Sequence, residues 1–228
     1  MSQLLSNHGA TGIAAPQNVS DESPVADSRT IALFHFEDEH VFPRIVDNGP
    51  RGMDLTANGG VQVEPGRFHN GLHFAGAKSA AENRHYGVPT PEMTYDFWIK
   101  PDGKPSESCG IIFVTHRRGG RADNSLVLLP DGRLGLQSGG KVAEAKTALP
   151  PDRWTHVTIT SSVRNKRVRF YLDGQLDREL AGSFYYPHGW MCLGNPFAGK
   201  VDSTLWNLPQ SFRGTLDEFQ MLNVELEK

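Results

Sequence analysis

Residues 153–180 read RWTHVTITSSVRNKRVRFYLDGQLDREL, and the alternation inside this stretch decides the fold. Val157 and Ile159 fall on one face of a first strand, with Thr158 and Thr160 on the other. In a second strand Val168, Phe170 and Leu172 oppose Arg167, Arg169 and Tyr171. Successive side chains of an extended chain point to opposite faces, and β-branched and aromatic residues pack well on a pleated surface, so the pattern specifies half-buried strands. The polar link 162–166 holds Asn165, a residue that tolerates the left-handed backbone of a turn. Asp173-Gly174 follows Leu172 and is a pair favoured where a two-residue hairpin needs positive φ at both central positions. The stretch predicts an antiparallel meander of three strands and two tight turns.

The same residues carry a resemblance. Trp154, His156 and Val157 after a Pro-rich lead-in, then Arg169, Tyr171, Asp173 and Gly174, resemble the "W-x-H-V…l-Y-v-D-G" hairpin of laminin-G-like jelly rolls, within the concanavalin A-like lectin and glucanase superfamily. Upstream, 30–37 (TIALFHFE) resembles that family's opening aromatic strand, and Asp47-Asn48-Gly49 stands at the turn that follows it. The runs 71–76 (GLHFAG) and 93–102 (MTYDFWIKPD) are similar to its next two strands. Residues 111–114 (IIFV) and 126–136 (LVLLPDGRLGL) add a strand and a second Asp-Gly hairpin. Downstream, 191–194 (MCLG) and 212–221 (FRGTLDEFQM) resemble its closing pieces. The resemblance spans roughly residues 30–224 and implies an all-β, two-sheet antiparallel jelly-roll sandwich whose first and last strands are neighbours.

Composition agrees. A chain of 228 residues can hold one large β-sandwich with its own core, or two small domains. Its 24 Gly and 15 Pro, without long helical periods, argue for an all-β domain. A net charge of −3 supplies no general pull toward nucleic acid or anionic membrane, and no run of about 20 apolar residues exists to span a bilayer. The basic clusters at 117–121 and 164–167 read as solvated turns rather than a continuous positive face with stacking aromatics.

Residues 1–29 differ from the rest. They are built from Ala, Ser, Asn, Gly, Asp and Pro, with too few apolar groups to offset the entropy of ordering. The expected organisation is an extended N-terminal arm over 1–29, disordered alone or tied to a neighbouring subunit, and a sandwich over 30–228. The start of the arm lacks the basic end and continuous apolar core of a secretory signal. Cys109 and Cys192 read either as a disulfide or as two small buried thiols in a reducing compartment.

The chemistry must be argued apart from the fold. The glucanase branch of the superfamily needs two or three acids alternating along one strand face. Glu37, Asp38 and Glu39 alternate faces at a strand end, while Asp177 and Glu179 share a face directly after a hairpin with no third acid. Hydrolysis is therefore the weaker expectation. No His-Glu-x-x-His and no Gly-x-Ser-x-Gly is present to suggest zinc or nucleophilic catalysis. The resemblance implies a structural calcium on an acid of the final strand, for which Asp217 is the match. The alternative for Asp217 is a carboxylate bonded to nearby backbone donors.

The aromatic density of 183–212 is the best functional hint. Tyr185, Tyr186, His188, Trp190 and Trp206 lie in a Gly/Pro-broken run, where loops on a rigid scaffold carry binding. Flat rings with polar edges stack on sugars or fill an interface; the alternative is that they cap the open end of the sandwich. A short arm, one lectin-like domain and no signal peptide resemble phage virion proteins that decorate heads or tails or contact host glycans. The expectation is thus a non-enzymatic binding module, docked by its arm on neighbouring subunits of a virion. The alternatives are a free carbohydrate-binding module in the cytoplasm and a glycoside hydrolase with an unrecognised site.

Overall fold

A computed structural model describes residues 21–76, 78–86, 90–115, 122–138, 141–184, 189–194 and 210–227. In chain order the strands are β1 (Thr30–Phe34), β2 (Arg44–Ile45), β3 (Leu55–Asn58), β4 (Val61–Pro65), β5 (Asn70–Ala75) and β6 (Ala80–Tyr86). Next come β7 (Glu92–Pro101), β8 (Cys109–Thr115), β9 (Ala122–Leu128), β10 (Arg133–Ser138), β11 (Lys141–Ala148) and β12 (Thr155–Ser162). The chain closes with β13 (Arg167–Leu172), β14 (Gln175–Ala181), β15 (Gly189–Gly194), β16 (Gln210–Ser211) and β17 (Arg213–Leu222). One sheet of eight strands runs β14-β13-β12-β7-β17-β5-β4, with β1 also on β17. The other, of nine, runs β11-β10-β9-β8-β15-β6-β3-β2, with the short β16 beside β8. The pairings are antiparallel except β16 with β8, and the architecture is a two-sheet jelly-roll sandwich.

The meander forms as the alternation requires, with Ile159 opposite Phe170 across β12 and β13. Asp173 and Gly174 take φ of +49° and +76°. The other turn differs from expectation, since Lys166 rather than Asn165 adopts positive φ, at +50°. Asn165 instead donates its backbone N–H to the Ser162 hydroxyl at 2.9 Å, which closes the turn one residue earlier. β12 is also buried along its whole length rather than on one face. It lies between β7 and β13, and the Thr158 hydroxyl on its outer side donates to Asp96 at 2.7 Å.

The core lies between the sheets. Phe219 anchors it, with its ring centroid 6.2 Å from Phe34, 6.2 Å from Tyr95 and 5.7 Å from Phe97. β1 and β17 are neighbours, as the resemblance implies, with Phe34 opposite Phe219. β17 is shared: β7 runs along one edge, while β5 takes Arg213–Leu216 and β1 takes Phe219–Leu222 on the other. Asp217 and Glu218 fall in the gap between β5 and β1, and Glu218 has φ +49° at a bulge. Cys109 and Cys192 are free and buried. Cys109 belongs to the main core and Cys192 to a small cluster with Val127, Leu129 and Trp190 on the opposite face of the sheet.

Candidate functional site

The outer face of the nine-stranded sheet carries a row of side chains set by cross-strand register. Thr56 lies opposite Glu82, Glu82 opposite Cys192, Cys192 opposite Phe113, and Phe113 opposite Ser125. Ser125 in turn lies opposite Gln137, and Gln137 opposite Val142. Residues directly opposite one another share a face, so the row crosses the sheet from β3 to β11. It is not an ordinary solvated face: Cys192 is 0% and Ser125 1% exposed. Glu82 Oε1 meets Arg84 at 3.6 Å and the Asn58 amide at 3.5 Å. Glu82 Oε2, Ser125 Oγ and Gln137 Oε1 are buried and find no hydrogen-bond partner among the described residues.

Trp190 stands beside this row on β15, half-buried against Val127, Cys192 and Leu129. The Arg84 guanidinium sits 5.1 Å from its ring centroid. Of the aromatic residues singled out from the sequence, Trp190 is the one the structure places; Tyr185, Tyr186, His188 and Trp206 lie outside the described residues. Glu82, Ser125 and Gln137 were not legible as a set. They come from three separate strands, and only register brings them into line. Strand-period polarity at Glu82 and Gln137 is the sole local signal, and every solvent-facing strand position shares it.

Asp217 marks a second polar centre, in the gap between β5 and β1. Its Oδ2 accepts the backbone N–H groups of Arg67 at 2.7 Å and Phe68 at 2.8 Å, and its Oδ1 accepts that of Glu218 at 2.7 Å. Gly66 makes this approach possible, because a Cβ there would lie 2.6 Å from Asp217 Oδ2 and 2.5 Å from the Asn70 carbonyl oxygen. Burial pushes the Asp217 carboxyl up to about 7 against the pull of these donors. Glu218 Oε2 is 2.5 Å from His35 Nδ1, and this bond raises the His35 pKa above its ordinary value. Glu218 Oε1 accepts the Ser23 hydroxyl at 2.7 Å, and Arg67 pairs with Asp21 at 3.0 Å, which seats 21–23 against this edge of the sandwich. Among the described residues no three His, Cys, Asp or Glu side chains are grouped to hold a metal. The three backbone donors on Asp217 are of the kind that the sequence offered beside the calcium reading.

Three of the other acids weighed from sequence have structural partners. Asp177 accepts the backbone N–H groups of Lys146 and Thr147, Glu179 pairs with Arg169, and Glu37 accepts the N–H of Asn70. Glu39 lies in a 3₁₀ turn, Glu39–Val41.

Two stacked, largely antiparallel sheets, with an indole and a row of polar side chains on one outer face, define a lectin-like jelly roll. A family model described as the concanavalin A-like lectin/glucanases superfamily matches residues 74–228. The chain belongs to that superfamily, which joins lectins with glucanases. Domain 4 of an extracellular arabinanase from Geobacillus stearothermophilus, solved in complex with arabinotriose, is similar at a TM-score of 0.64 and 15% identity, over 87% of this chain and 94% of that one. A Trypanosoma rangeli sialidase is similar at 0.63 and 14% identity, over 94% of this chain and 35% of that one. The receptor-binding domain of botulinum neurotoxin type G is similar at 0.59 and 15% identity, over 88% and 49%. This chain thus spans about a third of the sialidase and half of the neurotoxin domain. At these identities the likeness is one of fold. No curated protein matches the sequence.

Proposed function

We propose that this chain is a glycan-binding module whose ligand lies across the outer face of the nine-stranded sheet, beside Trp190. The observation that carries the reading is the row from Glu82 to Gln137, with three buried oxygens lacking partners among the described residues. Buried polar atoms in folded proteins nearly always have a partner, and leaving one without costs ~1–3 kcal/mol. A polyhydroxylated ligand would supply those partners, while the indole and the Arg84 edge offer a flat surface for a sugar ring. The fold shared with an arabinanase domain solved with arabinotriose supports a sugar as the ligand. Tyr185, Tyr186, His188 and Trp206 complete the aromatic set in this reading.

Binding is favoured over hydrolysis because Glu82 is the one carboxylate in the row of Thr56, Glu82, Cys192, Phe113, Ser125, Gln137 and Val142. Glycosidases usually need two carboxyl groups within ~5–9.5 Å of each other. On a glycan array run at a temperature where both variants are folded, Trp190→Ala and Gln137→Ala are expected to lower apparent affinity about tenfold or more. Binding indifferent to both substitutions, or release of reducing sugar from a bound glycan, would overturn the reading.

The finer placement is a virion protein whose arm, 1–29, docks on neighbouring subunits and whose lectin-like domain meets host glycans. The composition of the arm supports it. The structural calcium at Asp217 is likewise a proposal. It is tested by the thermal midpoint in calcium against chelator, which rises by several degrees if the ion is bound and is unchanged if the three N–H donors alone hold the carboxylate.

A further inference from the structure

A separate cavity opens at the end of the sandwich where both sheets contribute strand ends. Asp102 follows β7, Lys104 lies in the β7–β8 link, Cys109 starts β8, Leu128 ends β9, and Ser211 and Arg213 belong to β16 and β17; all six line it. The cavity measures about 260 Å³. That is just below the ~300 Å³ at which ligand pockets typically begin, and several times the ~30 Å³ that one water occupies in the liquid. It is too roomy for an inorganic anion and too small for an extended oligosaccharide. One sugar ring fits.

Its chemistry is specific. Lys104 and Arg213 form no ion pair among the described residues, although ion pairs are frequent elsewhere on this surface. A Cβ on Gly76 would lie 2.8 Å from Arg213 Cγ, and one on Gly132 would lie 3.6 Å from Lys104 Cε, so each aliphatic stem runs close over a glycine. Asp102 is the single carboxylate of the lining and already meets His73 Nε2 at 3.1 Å. Leu128 is apolar and buried, and the Ser211 hydroxyl donates to the Ser79 carbonyl at 2.8 Å. Two cations, one carboxylate acceptor and an apolar wall suit a ring that bears both hydroxyls and a negative charge. Arg matches the planar geometry of a carboxylate in particular.

We propose that this cavity is a second saccharide subsite, selective for a sugar ring carrying a carboxylate, such as a uronic acid. It deepens the glycan-binding reading by naming an acidic ligand class, yet it rests on residues that the Trp190 face does not use. The ring could be a free acid or the terminal unit of a longer glycan.

Calorimetry of the full chain with glucuronic acid, glucose, acetate, inorganic sulfate and a glucuronate-terminated oligosaccharide tests it. Glucuronic acid is expected to bind at least tenfold more tightly than glucose, acetate or sulfate, and more weakly as salt rises. Lys104→Gln and Arg213→Gln, which keep most of each stem, should each weaken that binding about fivefold or more while the thermal midpoint stays put. If the oligosaccharide binds more tightly than the free acid, a glycan terminus is the ligand; equal affinity assigns a free acid. Equal affinity for glucuronic acid and glucose, no binding of glucuronic acid, or binding unaffected by both variants would overturn the proposal. Failure here leaves array binding through Trp190 and Gln137 untouched, whereas loss of that binding alone leaves the glucuronate result standing.

Discussion

Asp217 holds a carboxyl at the one place where β17 changes partners, and its environment dictates how the protein responds to pH. Burial raises its pKa from 3.8 to about 7, and the bond to Glu218 raises that of His35 above 6.5. Both folded-state groups bind protons more tightly than their unfolded counterparts, so both add stability that is complete at low pH. The Asp217 contribution is present below about 3.8 and disappears as pH rises through about 7. That of His35 is present below 6.5 and disappears as pH rises through its higher folded value. The groups whose pKa is lowered, Asp27, Asp131 and Glu225, lose stability only in the acid range below 4.5 and do not oppose this trend near neutrality. The thermal midpoint is therefore expected to be higher at pH 5.5 than at pH 8. Asp217→Asn together with His35→Gln should flatten that difference in a scan of midpoint against pH, and an unchanged slope would contradict the assignment. At this scale the sequence marked Asp217 by its place in the closing strand, but not His35 or Ser23. These are 182 and 194 residues away in the chain (217 − 35; 217 − 23) and reach the same gap only through the β1–β17 pairing.

At the scale of elements, the meander is the most legible part of the chain and the strongest test of the core. Phe170 is fully buried and lies opposite Ile159. Phe170→Ala removes its packing and leaves a cavity, for an expected loss of ~3–5 kcal/mol read by denaturant unfolding. Arg164→Ala, in the exposed turn, should stay within ~0.5 kcal/mol. Alternation sufficed to place β12, β13 and β14 because a strand with one apolar side has one way to face a core. It did not reveal that β12 is covered on both sides, because its outer threonines look solvent-facing until Asp96 on β7 is brought beside them. The turn at 163–166 shows the same limit at shorter range. Asn165 has the better propensity for positive φ, but the Ser162 hydroxyl captures its N–H, and the left-handed residue becomes Lys166.

At the scale of the whole molecule, the segment before β1 is the part through which the proposed assembly would form. The described part of it, 21–29, is tied by Asp21 to Arg67 and by Ser23 to Glu218. Asp21 is 88% exposed, and such surface pairs contribute little. A version beginning at Asp27 is expected to keep its thermal midpoint within a few degrees. In light scattering, the full chain should show a larger assembly, or join a co-expressed particle, where the shorter one stays monomeric. Equal masses for both would remove the arm from the assembly proposal.

The sequence alone determined the all-β class, the meander, the adjacency of first and last strands and the superfamily. The class and the meander follow from short-range alternation and turn chemistry, whereas the strand adjacency and the superfamily follow from the ordered resemblance to known strands. Tertiary structure alone decided which polar residues share a face. The row from Glu82 to Gln137, the Asp217 centre and the Lys104–Arg213 cavity each join residues from three or more separate segments. Their meeting depends on strand register and on how the sheet ends close. A register shift of one residue would turn each strand's polar set to the opposite face, and no local pattern in the chain records which partner a strand will meet.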